Sequence, residues 1–324
     1  MNTRINFGAT GLQVSPVCFG TWQLSPRFWG VQPEEELIAA MRAAFDNGIN
    51  FYDTAEAYGD GLAETVLGKF IKTVPREQVV ITTKVFNHFN EDGSRYPDLS
   101  RDYVMRRCEL SLRRLGVETI DIYLLHFYDQ LTPLAEITET LETLKRQGKI
   151  RHYGASNFTT EQFRAIRKFG AYNVMQPPYS LIDFGVENEL LPYCQAENVG
   201  VMIFSPMHKG LITGKYTGVE TFDDFRQHHP DFQGERFRQI CEGVQSLKPM
   251  ADKYGLTLYQ LIISATLMHP AIQVAVVGIK TADQIREAAG ALGKTLSRED
   301  YFAVRNAVNG AGQKKVRDAT GKVK

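Results

Sequence analysis

Four residues at separate points of the chain carry side chains suited to moving a proton. Asp53 and Tyr58 lie in INFYDTAEAYG (49–59), Lys84 ends VVITTK (79–84), and His126 follows IDIYLL (120–125). A free tyrosine titrates at about pH 10, too high for easy proton exchange near neutrality. An ammonium beside it favours the phenolate, so Lys84 is expected to lower the Tyr58 pKa while Asp53 holds Lys84 in place. A neutral His126 would donate a hydrogen bond that orients a carbonyl oxygen and steadies the negative charge developing on it. Acid–base catalysis of this kind contributes on the order of 100- to 10,000-fold. The set suits proton transfer to a carbonyl, and the hydride needs a separate source because no side chain supplies one. A plainer reading of Asp53 stands beside this: DTAE (53–56) resembles a capping box at a helix start.

Each of the four residues ends or follows a strand-like run, and those runs recur. Apolar stretches at 17–20, 50–52, 79–83, 120–125, 150–154, 173–175, 199–204 and 272–277 alternate with amphipathic stretches such as 33–47, 101–115, 134–147, 160–169 and 186–198. Parallel neighbours need a crossover, so the alternation implies a parallel sheet, either doubly wound or closed. Eight strand-plus-helix periods without a break in composition favour a (β/α)8 barrel, in which residues just after each strand converge on one face. Those positions add Ser156 and Asn157 after strand five, Gln176 after strand six and Ser205 after strand seven.

The rest of the chain fits one barrel domain over 1–324. Residues 1–16, around Gly8 and Gly11, form a hairpin that caps one end. Residues 209–238 make the longest irregular stretch, as expected of a functional flap or a disordered segment, and the polar, basic tail 312–324 is expected to fray. Lys+Arg and Asp+Glu each number 37, so no net field favours nucleic acid or an anionic membrane. The N-terminus has no signal-like apolar region, and no run is long enough to span a bilayer. The four cysteines are far apart with no C-x-x-C, as in a reduced, cytoplasmic protein; a monomer is expected.

The motifs together resemble the aldo-keto reductase superfamily over nearly the whole chain. They are NFYDTAEAYG, VVITTKV, DIYLLH, GKIRHYGASNF, MQPPYSLID, FSPMHKGLITGKY and VVGIKTADQIREAAGAL. The resemblance implies a (β/α)8 barrel, a nicotinamide cofactor lying extended across the C-terminal face, and reduction of an aldehyde or ketone, or oxidation of the matching alcohol or sugar. By that resemblance Tyr58 is the general acid, tuned by Lys84 and Asp53, and His126 orients the substrate. Ser156, Asn157 and Gln176 would meet the nicotinamide carboxamide, and Phe204 would stack on its ring. Ser205, Pro206, Met207, Gly210 and Lys215 would surround the pyrophosphate. Gly278 precedes Lys280, which would meet a ribose 2′-phosphate, with Gln284 and Glu287 at the adenosine end. NADP(H) is therefore favoured over NAD(H).

The chain departs from the family pattern at four places. It has Val277-Gly278 for Pro-Gly, Glu287-Ala288 for Glu-Asn, Lys280 where arginine is frequent, and Phe127 where tryptophan is frequent. Lysine keeps the charge of arginine without its bidentate fork. The segment 222–237 resembles a cofactor clamp acting through Arg226. GDGLAE (59–64) lacks the third glycine of a dinucleotide fingerprint. His228-His229 lacks neighbouring ligands at metal-site spacing, and His88 is a candidate for the pocket wall. A cofactor-bound regulatory subunit is the alternative function; the intact four-residue set favours catalysis.

Overall fold

The computed structural model describes residues 4–309 apart from 86, 90, 91 and 93; the side chains of 87–89, His88 included, and the tail 312–324 lie outside the described residues. The strands are β1 (Ile5–Asn6), β2 (Gln13–Val14), β3 (Val17–Gly20), β4 (Phe51–Asp53), β5 (Val80–Val85), β6 (Asn87–Phe89), β7 (Arg95–Pro97), β8 (Ile120–Leu125), β9 (Ile150–Ser156), β10 (Tyr172–Gln176), β11 (Gly200–Phe204) and β12 (Val274–Gly278). The helices are α1 (Pro26–Trp29), α2 (Glu34–Asp46), α3 (Leu62–Ile71), α4 (Arg101–Leu115), α5 (Leu134–Arg146), α6 (Thr160–Arg167), α7 (Leu190–Ala196), α8 (Gly234–Gln245), α9 (Lys248–Tyr254), α10 (Leu258–Thr266), α11 (Ala282–Ala289) and α12 (Arg298–Val308).

Eight parallel strands close in the order β3-β4-β5-β8-β9-β10-β11-β12, with β12 paired back to β3. The eight expected strands all form. Several run further at their C-terminal ends than hydropathy suggests, through Lys84, Ser156 and Gln176. These polar residues stay in the ladder because their side chains turn into the lumen rather than toward the apolar helices. Helix α7 is shorter than the expected 186–198. Pro192 has no amide hydrogen and fits only the first turn, so the helix starts at Leu190, after a separate 3-10 turn at Gly185–Glu187.

Two apolar layers hold the barrel. The larger lies between strands and helices, and the smaller fills the lumen with Phe7, Val14, Cys18, Phe51, Val80, Ile122, Leu124, Val174, Met202, Val274 and Val276. Phe7 and Val14 reach that inner layer from the β1–β2 hairpin, so the hairpin stoppers the N-terminal end of the barrel. Phe7 meets Phe51 edge-on at 5.6 Å. Gly8, at φ +49°, abuts Gly200; a Cβ on Gly8 would stand 2.3 Å from the Gly200 nitrogen, so only glycine lets the hairpin sit this close. Segment 209–238 is also packed: Phe222, Phe232 and Phe237 cluster with Tyr216 beneath it.

Candidate active site

Side chains alternate along a strand, so one inward residue per strand sets the rest. On β5, Val80 and Thr82 face the lumen, and Lys84 therefore does too. On β8, Ile122 and Leu124 face inward, and His126 continues that face past the strand end. The same count places Asp53 above Phe51, Gln176 above Val174, and Phe204 above Met202. The stoppered bottom layers are apolar and the open top layer is polar, at the C-terminal ends where barrel enzymes build their sites.

In that top layer the Lys84 ammonium, wholly buried, donates to Asp53 Oδ2 at 2.8 Å, to the Thr54 carbonyl at 2.9 Å and to the Tyr58 hydroxyl at 3.3 Å. The other Asp53 oxygen accepts from Gln176 Nε2 at 2.7 Å. The Tyr58 and His126 rings meet edge to face, centroids 6.0 Å apart, and Phe127 stacks on His126 at 5.1 Å. No helix starts at Asp53: α3 begins at Leu62 behind Gly61, so the capping reading of DTAE falls away.

The protonation states follow from burial and charge together. Removal of water around the Tyr58 phenol raises its pKa, and this outweighs the lowering effect of Lys84. The expected net lowering is thus overturned, although the Lys84 effect has the expected sign; Tyr58 is held as the protonated phenol. Burial works against the Lys84 ammonium, but Asp53 and Tyr58 together outweigh it and keep it charged. Burial, then Lys84 and Arg95, push His126 well below the usual imidazole range, so it is neutral near pH 7.

A cavity of 1540 Å³ opens over this layer. Its wall includes Asp53, Tyr58 and His126, together with Ser156, Asn157, Gln176, Phe204, Ser205, Pro206, Met207, Gly210, Lys215, Arg226, Gly278, Lys280, Gln284 and Glu287. Lys84 is not on the wall; it stands behind Asp53 and Tyr58. Asn157 (φ +57°) and Ser205 (φ +60°) hold left-handed conformations. Such strain persists only where the surroundings enforce it, commonly at ligand sites. Asn157 donates to the His126 carbonyl at 3.0 Å, and Ser156 Oγ to the Gln176 carbonyl at 2.9 Å, tying three strand ends together.

The far end of the cavity is basic. Burial and the neighbouring charges of Arg226 and Lys215 lower the Lys280 pKa, so a bound anion would relieve repulsion among three cations. The Lys280 ammonium lies 5.0 Å from the Trp29 ring centroid. Arg226 is not free to take an anion alone, because it grips Asp224 and donates to the Tyr216 hydroxyl at 2.7 Å. Gln284 accepts from the Lys280 amide at 2.8 Å, and Glu287 from Thr257 Oγ1 at 2.7 Å. A long cavity with amide groups at one end and clustered cations at the other fits an extended dinucleotide with a phosphate at its basic end.

The profile of the Aldo/keto reductase family matches residues 16–309. The chain belongs to this family. It is 35% identical to aldo-keto reductase YhdN of Bacillus subtilis, over 90% of this chain and 89% of that protein. It is 32% identical to the NADH-specific methylglyoxal reductase of Escherichia coli, over 93% of this chain and 97% of that protein. Among solved structures it resembles the glycerol dehydrogenase AKR11B4 of Gluconobacter oxydans, with TM-score 0.88 and 29% identity, covering 95% of this chain and 96% of that one. The activity is that of an oxidoreductase, carbonyl reduction or alcohol oxidation with a nicotinamide cofactor.

Sequence reasoning missed several parts of this aldo-keto reductase cavity. Trp22 and Trp29 line it and pack with Phe225 in an aromatic cluster, centroids 5.3–6.1 Å apart, that joins the loop after β3 to the strap after β11. No local spacing signals a contact between residues 22 and 225. Arg95 also lines the cavity, from the β6–β7 ribbon. Sequence spacing also found no ligands beside His229, yet the fold brings its ring to 5.3 Å from that of His208. With Asp231 the two histidines offer ligand atoms within 4.8 Å of one another, a spacing a metal ion could use; Asp231 is held meanwhile by His208 Nε2 at 2.9 Å and by Arg236.

Proposed function

We propose that Tyr58 is the general acid of carbonyl reduction in this chain, that Lys84 and Asp53 position and tune it, and that His126 orients the carbonyl. The observation that carries this is the buried Asp53–Lys84 pair placed 3.3 Å from the Tyr58 hydroxyl and beside a neutral imidazole. The cofactor supplies the hydride. A carbonyl oxygen between the phenol and imidazole would take its proton from Tyr58 as negative charge develops on it. Lys84 then faces the emerging phenolate and stabilises it without proton loss. Asp53, fixed from the other side by Gln176, keeps the ammonium aimed.

The cofactor preference proposed is NADP(H). The support is the gathering of Lys280, Lys215 and Arg226 along one stretch of the cavity wall, where Arg226 and Lys215 disfavour the Lys280 ammonium and Asp224 opposes them in part, a setting suited to a phosphate. Ser156, Asn157 and Gln176 are assigned to the carboxamide, and Phe204 to the nicotinamide ring. Ser205, Pro206, Met207, Gly210 and Lys215 are assigned to the pyrophosphate. Gly278, Lys280, Gln284 and Glu287 are assigned to the adenosine end, with Arg226 bracing the strap over it. A cytoplasmic monomer acting on small carbonyl compounds fits this reading; the four cysteines are free and buried, and no described helix is long and apolar enough to cross a membrane. The test is Tyr58→Phe. Its turnover of a simple aldehyde should fall by about 100- to 10,000-fold while cofactor affinity, read by fluorescence titration, holds. Near-normal turnover would mean a different acid.

A further inference from the structure

The β6–β7 ribbon leaves the barrel directly after Lys84 and Val85 and returns a guanidinium to the cavity lip. Its pairing sets Phe89 opposite Arg95 and Asn87 opposite Pro97. Alternate strand residues share a face, so Arg95 and Pro97 point one way and Tyr96 the other. The cavity wall agrees, since it includes Arg95 and Pro97 and omits Tyr96. Arg95 is close enough to His126 for its charge to disfavour the imidazolium.

Among the described residues, no carboxylate pairs with Arg95, and none forms a hydrogen bond or a ring contact with its guanidinium. Asp53, the carboxylate at the catalytic end, is engaged by Lys84 and Gln176. The other cations on the wall, Lys209, Lys215, Arg226 and Lys280, belong to the segments after β11 and β12, on the dinucleotide side. The substrate side therefore carries a separate positive group of its own, next to the residue assigned to orient the carbonyl.

We propose that Arg95 is a specificity residue and that the preferred substrate is an aldehyde bearing an anionic group, a carboxylate or phosphate, on the end away from its carbonyl. This rests on the catalytic assignment above. The planar guanidinium fork matches either anion in a bidentate manner. Arg95 is exposed, so its field also draws anionic substrates toward the mouth and weakens with salt.

The experiment compares kcat/KM for succinate semialdehyde against butanal, and for glycolaldehyde phosphate against glycolaldehyde, in the wild type, Arg95→Gln and Arg95→Lys. The wild type should favour one anionic member by about tenfold or more, the worth of a charged hydrogen bond. The preferred pair identifies carboxylate or phosphate. Arg95→Gln should bring that ratio close to one, mainly through KM, and Arg95→Lys should restore part of it; added salt should erode it in the wild type and in Arg95→Lys but not in Arg95→Gln. Wild-type ratios near one in both pairs, or a ratio unmoved by Arg95→Gln, would overturn the assignment. Binding of succinate and of inorganic phosphate to the NADPH-loaded enzyme, read by NADPH fluorescence, separates the two layers of inference. A weakening of about tenfold in Arg95→Gln supports the anion site even if no aldehyde is turned over, an outcome that would defeat the catalytic assignment alone. Equal binding in both proteins counts against the anion site.

Discussion

Asp53 and Lys84 should be energetically inseparable, and a double-mutant cycle measures this. The side chains are 4% and 0% exposed and meet at 2.8 Å, so neither charge is shielded by water. Asp53→Asn leaves one acceptor oxygen for two donors, Lys84 Nζ and Gln176 Nε2, and strands a buried ammonium with the Thr54 carbonyl as its remaining strong acceptor. Breaking a buried pair from one side typically costs about 3–5 kcal/mol; the surviving Thr54 bond puts Asp53→Asn near the lower figure. Lys84→Met leaves a buried carboxylate held by Gln176 and should cost about as much. The double variant buries no charge, and methionine occupies much of the lysine volume, so its loss should resemble that of one single variant. The coupling is then about 3 kcal/mol, far above the few tenths expected of independent sites. The assay is urea unfolding of the cofactor-free protein at neutral pH. Circular dichroism and tryptophan fluorescence are followed together, because barrels of this size can populate intermediates. Losses that add to within about 0.5 kcal/mol would refute the buried pair.

Two further outcomes follow from the charges around the cavity. Lys280→Met should weaken NADPH binding by about 10- to 100-fold, the loss of a charge-assisted contact to phosphate, and leave NADH binding far less affected; equal losses would remove the 2′-phosphate assignment. His126 is neutral in the folded chain well below the pH at which it would protonate unfolded, so the unfolded state binds the extra proton and stability falls as pH drops below about 6.5. That slope is about 1.4 kcal/mol per pH unit, so His126→Asn should lose about 2 kcal/mol less than the wild type between pH 6.5 and 5 in urea titrations. Parallel pH profiles would show that His126 is not held neutral.

Much of the scaffold was legible because it is periodic and local. The apolar runs located all eight barrel strands, and the polar residues at their ends located Asp53, Lys84, His126 and Gln176. A residue at the end of a parallel strand has few places to go: the period of two sends it outward into the helices or inward to the mouth, and its polarity decides. The capping alternative for Asp53 was equally local in origin, and sequence spacing had no means to discard it; the absence of a helix between Asp53 and Leu62 did.

The residue types and their order along the chain determined the barrel and its family, and brought the four chemical groups to one face. Whether Tyr58 would titrate above or below an ordinary tyrosine was decided by tertiary structure, because burial sums over everything packed around the phenol while the Lys84 effect is one pairwise attraction. The same holds for Gln176 fixing Asp53 across 123 residues of chain and for Trp29 meeting Phe225. Those contacts join segments whose separation in sequence has no period, so only the closed barrel and its strap could set them.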